Sequence, residues 1–270
     1  MIEAACAWVE AQLPAFALTP ASPSAHMAML KALGDLAHCG ELLSRTPGRE
    51  RVGTHWLDRA CEWLADGERI HELVARNPIY APAAATALPL ILAGRVRGGL
   101  VETLRRQVAI AQLPSLAWTM LVPTLELCGI SPSAEMISLA RKTSVLAQKS
   151  DPARIPFDAA YVLAHECMYA TKFSREDPPW DAATTAYACA ALVTLEQRAR
   201  AAADADLWAE LAIAYRAVTG TRWLDTSFFS QTRAGNVEPP AELTSIFPRL
   251  PHPRLSRTYH TTLVAIMAWA

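Results

Sequence analysis

Charge is what this 270-residue sequence has little of: Asp, Glu, Lys and Arg make up 19% of it and nearly cancel, leaving a formal net charge of -1. With a pI near 6.7 and no basic stripe, it has nothing suited to neutralising a phosphate backbone, so nucleic acid is not an expected partner. Phosphate-cradling loops are missing too. Neither GxGxxG nor GxxxxGK[ST] occurs, so no nucleotide cofactor is expected. There is no GxSxG elbow, no kinase signature set and no aspartate-rich DDxxD for magnesium. The six cysteines (Cys6, Cys39, Cys61, Cys128, Cys167, Cys189) form no CxxC pair. That argues against a zinc ribbon or a disulfide framework, and for small buried hydrophobes in a reducing compartment. The most apolar run, residues 81–94, is interrupted by Pro82 and Pro89 and falls short of the ~20 residues that span a bilayer. The opening segment MIEAACAWVEAQL carries acids where a secretory signal carries basic residues. A cytoplasmic protein without a membrane partner is expected. Strand-type alternation is also absent throughout.

What the sequence does have is apolar bulk at helical spacing. Hydrophobic residues make up 52% of it, with many alanines, which lose no side-chain entropy in a helix. The periodicity predicts helices over 2–18, 26–44, 51–66, 68–76, 82–94, 98–112, 115–128, 133–144, 157–173, 181–200, 204–219 and from 259 to the last residue. Prolines and glycines punctuate them: Pro20 and Pro23, Asn77-Pro78, Gly129, Pro132, Gly220. The expected fold is all-α, one domain over 1–270 with 150 as a candidate subdivision. Its ten to twelve helices would form an α/α array or barrel-like arrangement. The tract 221–256 is irregular and long for a compact domain, a length typical of lids and site walls.

Polar residues inside apolar helices are the candidates for chemistry. The segment FDAAYVLAHECMYATKF, residues 157–173, places His165 and Glu166 at its centre. It is not an HExxH motif, because position 169 is Tyr. Neighbours on a helix point about 100° apart, so Glu166 faces away from His165, whereas Tyr161, Met168 and Tyr169 share the His165 face. His165 reads either as a ligand or acid/base with Tyr169 hydrogen-bonded nearby, or as a core histidine satisfied by a neighbouring helix. In DADLWAELAIAYRAV, Asp206 and Glu210 stack on one face. Asp204 reads as the helix cap. Tyr259-His260-Thr261-Thr262 stands at the mouth of an apolar helix, where His260 is either a second nitrogen ligand or half-exposed beside a capping threonine. Asp35, His38 and Glu41 share a face that reads as solvated. His55, His71 and His252 lack evident partners, and the tryptophans read as core.

Three of these segments together resemble an uncharacterised family of helical proteins from actinomycetes and related bacteria. Its Y-x-L-T-H-x-x-F-Y-x-T-D-F-G pattern is met by Tyr161, Leu163, His165, Tyr169, Thr171 and Phe173. Its D-L-x-x-E-L helix is met by Asp206 to Leu211, and its closing Y-H-T-T-L-V by Tyr259 to Val264. Ala164, Lys172 and Ser174 depart from the pattern. The resemblance carries no established activity. It implies that His165, Glu210 and His260 belong to one constellation, and a setting in natural-product biosynthesis.

The functional expectation is a natural-product tailoring enzyme with a His165, Glu210 and His260 site for iron, copper or zinc. Tyr169 and Asp206 would support it, and a small-molecule or carrier-bound substrate would lie in an apolar pocket between helices. Two alternatives stand beside it. One is a metal-free acid/base cyclase or isomerase whose His/Glu/Tyr set moves protons inside an apolar cavity, with Tyr169, Asp206 and Glu210 the candidate catalytic residues. The other is a non-catalytic helical scaffold for a carrier protein, peptide or small molecule.

Overall fold

The structure is a computed structural model that describes residues 2–16, 23–64, 131–221 and 259–270, with residues 122, 125, 126 and 129 between them. The helices expected over 68–76, 82–94 and 98–112, most of that over 115–128, and the tract 221–256 after its first residue lie outside the described residues. So do Cys128, His71, His252, Trp118 and Trp223.

Every described regular element is helical. In chain order they are α1 (Ile2–Gln12), α2 (Pro23–Ser44), α3 (Glu50–Leu64), α4 (Ala134–Thr143), α5 (Val145–Gln148), α6 (Phe157–Ala170), α7 (Ala182–Ala201), α8 (Ala205–Thr219) and α9 (Tyr259–Trp269). Short 3-10 turns, Leu13–Phe16 and Pro152–Arg154, follow α1 and precede α6. The all-α expectation holds. No described helix is long and apolar enough to cross a membrane.

The ends of these helices follow local chemistry. Asp181 and Asp204 cap α7 and α8, accepting from Thr184 N (2.7 Å) and Leu207 N (3.0 Å). Gly220 closes α8 at a left-handed φ of 68°. The helix expected over 133–144 ends at Ser144, which closes α4 and caps the short α5 by accepting from Ala147 N at 3.0 Å. The helix expected to reach 173 stops at Ala170. There the Thr171 hydroxyl turns back to the Cys167 carbonyl (2.8 Å), and Lys172, Phe173 and Ser174 take φ of 47°, 56° and 65°. Phe173 N then donates to Met168 O at 2.7 Å, folding the chain back over the helix end.

The helices pack around one hydrophobic cluster fed from both sides of residue 150. α2 and α3 form an antiparallel hairpin, and α7 pairs antiparallel with α8 across residues 202–204. α8 also lies against α6 and α9, and α9 against α2. One to two turns beyond the polar residues described below, α2 supplies His38, Glu41 and Leu42 to a common small cavity. Phe173 just past α6, Ile213 and Arg216 of α8, and Met267 of α9 line the same cavity. α2, α6, α8 and α9 therefore run in one direction, with α3 and α7 as their antiparallel backing, the arrangement of an α/α array. Leu33, Leu36 and Leu43 of α2 are fully buried, each contributing ~1.5–3 kcal/mol of burial. The two largest buried side chains keep their donors satisfied: Trp56 Nε1 donates to Glu10 and Trp208 Nε1 to Glu196, each at 2.7 Å. The five described cysteines are free thiols, and three of them are buried.

Two features of this packing can be tested. α2 and α3 approach through facing glycines, and a Cβ at Gly53 would stand 2.1 Å from Ser44 N and 2.5 Å from the Gly40 carbonyl oxygen. Gly53→Ala should cost about 2 kcal/mol or more, lowering Tm by about 4–8 °C; an unchanged Tm in a thermal melt would contradict this close approach. The second feature is Glu166, buried as its angle on α6 dictates, which accepts from Leu146 N at 3.1 Å and anchors the start of α5. Burial outweighs the hydrogen bonds from Leu146, Ser144 and Val145 and pushes its carboxyl from 4.5 up to about 7. The native state thus keeps a proton that the unfolded chain has lost, so stability falls as pH rises from about 4.5 to 7, by roughly 3 kcal/mol from this group. Glu166→Gln keeps the acceptor and removes the charge, so it should abolish that part of the slope. Denaturant unfolding at a series of pH values reads it, and the same slope in both proteins would refute the assignment.

Candidate functional site

The site is built where the four co-directional helices present their polar residues at one level. α8 contributes Asp206 in its first turn and Glu210 one turn later, on the same face. Because Asp204 serves as the cap, Asp206 is not needed at the helix end. α9 contributes His260, its second residue, α6 contributes His165 and Tyr161, and α2 contributes Lys31 and Asp35.

Glu210 stands between the two histidines. Its Oε1 is 3.2 Å from His260 Nε2, and its Oε2 is 3.5 Å from His165 Nε2. His260 Nε2 is also 3.8 Å from Asp206 Oδ2. One ligand-type atom each from Asp206, Glu210 and His260 lie within 4.8 Å of one another, a spacing that can hold a metal ion. His165 approaches Glu210 from the other oxygen and is outside that trio. Thus Asp206, expected in a supporting role, offers one of the converging oxygens. Glu210 is almost fully buried, whereas the side chains of His165, His260 and Asp206 keep 30%, 24% and 16% exposure, so the cluster is open on one side. The expected hydrogen bond between Tyr169 and His165 is not formed. Their rings lie 6.3 Å apart, centroid to centroid, one turn apart along α6.

Several residues of the site were not foreseen. The trio Asp35, His38 and Glu41, expected on a solvated face, faces inward and divides between two networks. His260 Nδ1 donates to Asp35 Oδ2 at 2.9 Å, and Lys31 Nζ donates to the same oxygen at 2.8 Å while lying 3.2 Å from Nδ1. Glu41, 4% exposed, is held by Arg45 and Arg175. His38 stacks on Phe173 with ring centroids 4.4 Å apart, and burial lowers it to about 4. The reason is tertiary: α9 covers one side of α2 and α3 another, so no residue of α2 from Lys31 to Ser44 is exposed. A detectable signal was that the residues between these charges (Ala32, Leu33, Leu36, Ala37, Cys39) leave little of the helix for solvent. Asp206 is held by two further donors, Tyr161 OH to Oδ2 at 3.2 Å and Thr261 Oγ1 to Oδ1 at 2.8 Å.

The electrostatics separate Glu210 from the other buried acids. An ionised carboxylate taken out of water costs several kcal/mol unless it is paired and hydrogen-bonded. Glu196 meets this with Trp208 and Arg200, and Glu41 with its two arginines. Glu166, Asp204 and Glu210 each retain one buried oxygen without a hydrogen-bond partner. Burial raises Glu166 and Asp204 toward the neutral form. Burial acts on Glu210 in the same direction, yet His165, His260 and Lys31 outweigh it and hold its carboxyl below the usual range. Its unpartnered Oε2 therefore stays part of a charged group. His260 shows the complementary effect: burial and Lys31 lower it, but Asp206 and Asp35 prevail and push it up to about 10. With Asp35 taking the Nδ1 proton, Nε2 is the nitrogen that faces Asp206 and Glu210.

Two cavities bordered by described residues exclude the cluster. One of about 430 Å³ opens along α4 at Ala134, Ile137, Ser138, Arg141 and Lys142. The other, the shared cavity lined by His38, Glu41 and Phe173, is about 10 Å³, room for one water at most.

A search of curated proteins and a search of solved structures each return no match. A family profile does match, over residues 2–270, and its description is a domain of unknown function, DUF6895. The chain is a member of that DUF6895 family.

Proposed function

We propose that this protein is a metal-dependent enzyme in which Asp206, Glu210 and His260 hold one divalent transition-metal ion, with His165 as a further donor at Glu210. The observation that carries the reading is the buried, ionised Glu210 whose Oε2 has no hydrogen-bond partner, beside converging ligand atoms of Asp206 and His260. Mixed imidazole and carboxylate donors without thiolate suit iron(II) or zinc, with copper the third candidate. Bound there, the ion would supply Lewis acidity or a redox centre to a substrate. The chain's residues do the rest. Asp35 fixes the ring of His260 so that Nε2 points at the carboxylates, while Tyr161 and Thr261 hold the Asp206 carboxylate in place. The open side at His165 and His260 admits a small-molecule or carrier-bound substrate. Tailoring of a natural product is the setting that the motif resemblance supports.

One observation favours a second reading. His260 lies between Asp35 and Glu210 and is held as the imidazolium by them and by Asp206, as a proton-transfer group of a metal-free cyclase or isomerase would be.

Elemental analysis of protein purified without chelators separates the two. The metal reading expects about one iron or zinc per chain. Glu210→Gln and His260→Ala should each lower its affinity by more than ~100-fold, and Asp35→Asn by ~10–100-fold. A protein that neither retains nor rebinds a transition metal after chelator treatment, with the fold intact, leaves the acid/base reading in its place.

A further inference from the structure

Behind His260, at the ring nitrogen away from Asp206 and Glu210, α2 places an ion pair against the imidazole. Lys31 and Asp35 lie one turn apart on the same face, and Lys31 Nζ donates to Asp35 Oδ2 at 2.8 Å. His260 Nδ1 donates to that same oxygen at 2.9 Å, and Lys31 Nζ stands 3.2 Å from Nδ1. One carboxylate oxygen thus serves two donors, and the ammonium lies at the edge of a ring whose other nitrogen, Nε2, faces Asp206 and Glu210. The side chains of Lys31 and Asp35 keep 33% and 18% exposure, so water screens their charges only in part. Asp35 alone suffices to orient the ring; what Lys31 adds is charge.

That charge acts on an ion at Nε2 in two ways of the same sign. A carboxylate on the Nδ1 proton makes Nε2 a more basic donor, and Lys31 weakens this by sharing the oxygen. Its positive charge also repels the ion, and the repulsion grows with each unit of ion charge. With both histidines neutral, the carboxylates of Asp35, Asp206 and Glu210 less the charge of Lys31 leave two negative charges, which a divalent ion cancels and a trivalent ion exceeds. We infer that Lys31 determines the charge of the ion this site accepts, favouring the divalent over the trivalent state. This rests on the metal reading above. Lys31 acts through Asp35 and His260, as a positioning residue.

The test is the midpoint potential of the iron-loaded, full-length protein, since that potential falls when iron(III) gains affinity relative to iron(II). A unit charge ~7 Å from the ion, at an effective dielectric of about 20, changes the ratio of the two affinities by about tenfold or more. Lys31→Met, which keeps the length of the side chain and removes its charge, should therefore lower the potential by about 59 mV or more, with zinc still bound by the zinc-loaded variant. Lys31→Arg, which keeps the charge, should stay near the wild-type potential. An unchanged potential in Lys31→Met overturns the assignment and leaves the metal reading standing. So does an equal fall in Lys31→Arg, which would make geometry and not charge the cause. Loss of iron uptake in Lys31→Met makes the residue structural and also overturns it. Wild type that takes up zinc but no iron overturns this inference alone; wild type that takes up neither overturns the metal reading with it.

Discussion

A charged carboxylate held inside the protein, with one oxygen that no hydrogen bond reaches, is the constraint on which the rest of the site depends. Glu210 is fully within the core of α8, between Ala209 and Leu211, which are themselves buried. Alone there it would take up a proton, as Glu166 tends to do. It stays ionised because basic side chains reach it from three other helices: His165 from α6, His260 from α9 and Lys31 from α2. Removing any of these helices would strand the charge, so the polar cluster and the packing of the four helices depend on one another.

The shared direction of α2, α6, α8 and α9 makes that convergence possible. Helices running the same way present corresponding turns at the same level, so residues near the starts of α8 and α9 meet residues in the middle of α2 and α6. The first turns of α8 and α9 carry positive partial charge, which favours the carboxylates gathered beside them. Antiparallel partners, α3 behind α2 and α7 behind α8, are kept outside, and the facing glycines 40 and 53 let α3 lie close. Further along the four helices Leu42, Ile213, Phe173 and Met267 meet His38, Glu41 and Arg216 around a nearly filled cavity. The Asp206, Glu210 and His260 cluster lies one to two turns away, and its exposed side marks the direction of access.

Most of the helices could be read from periodicity and caps, because those signals are local. Asp204 as a cap, Gly220 as a stop and the angle of Glu166 away from His165 all follow from neighbours a few residues away. His165, Glu210 and His260 stood out as polar residues in apolar helices. What brought them together on paper was the pattern of three motifs, not any spacing within one. Lys31 and Asp35 were not legible. An acid four residues after a lysine looks the same on a solvated helix as on a buried one, and only the contacts of α2 with α3 and α9 decide between them. The end of α6 was not legible for a related reason. The apolar pattern continues through Phe173, but three successive left-handed residues turn it inward.

The imidazolium of His260 and a metal ion are alternatives for the same pair of carboxylates, since each supplies the positive charge that Asp206 and Glu210 require. The central claim is that the pair is made for the ion, and X-ray absorption of the zinc-loaded protein addresses it directly. The account predicts a shell of nitrogen and oxygen donors at about 2.0–2.2 Å with the multiple scattering of imidazole and no sulfur. A sulfur shell near ~2.3 Å, or an ion surrounded by oxygen alone without imidazole, would contradict it.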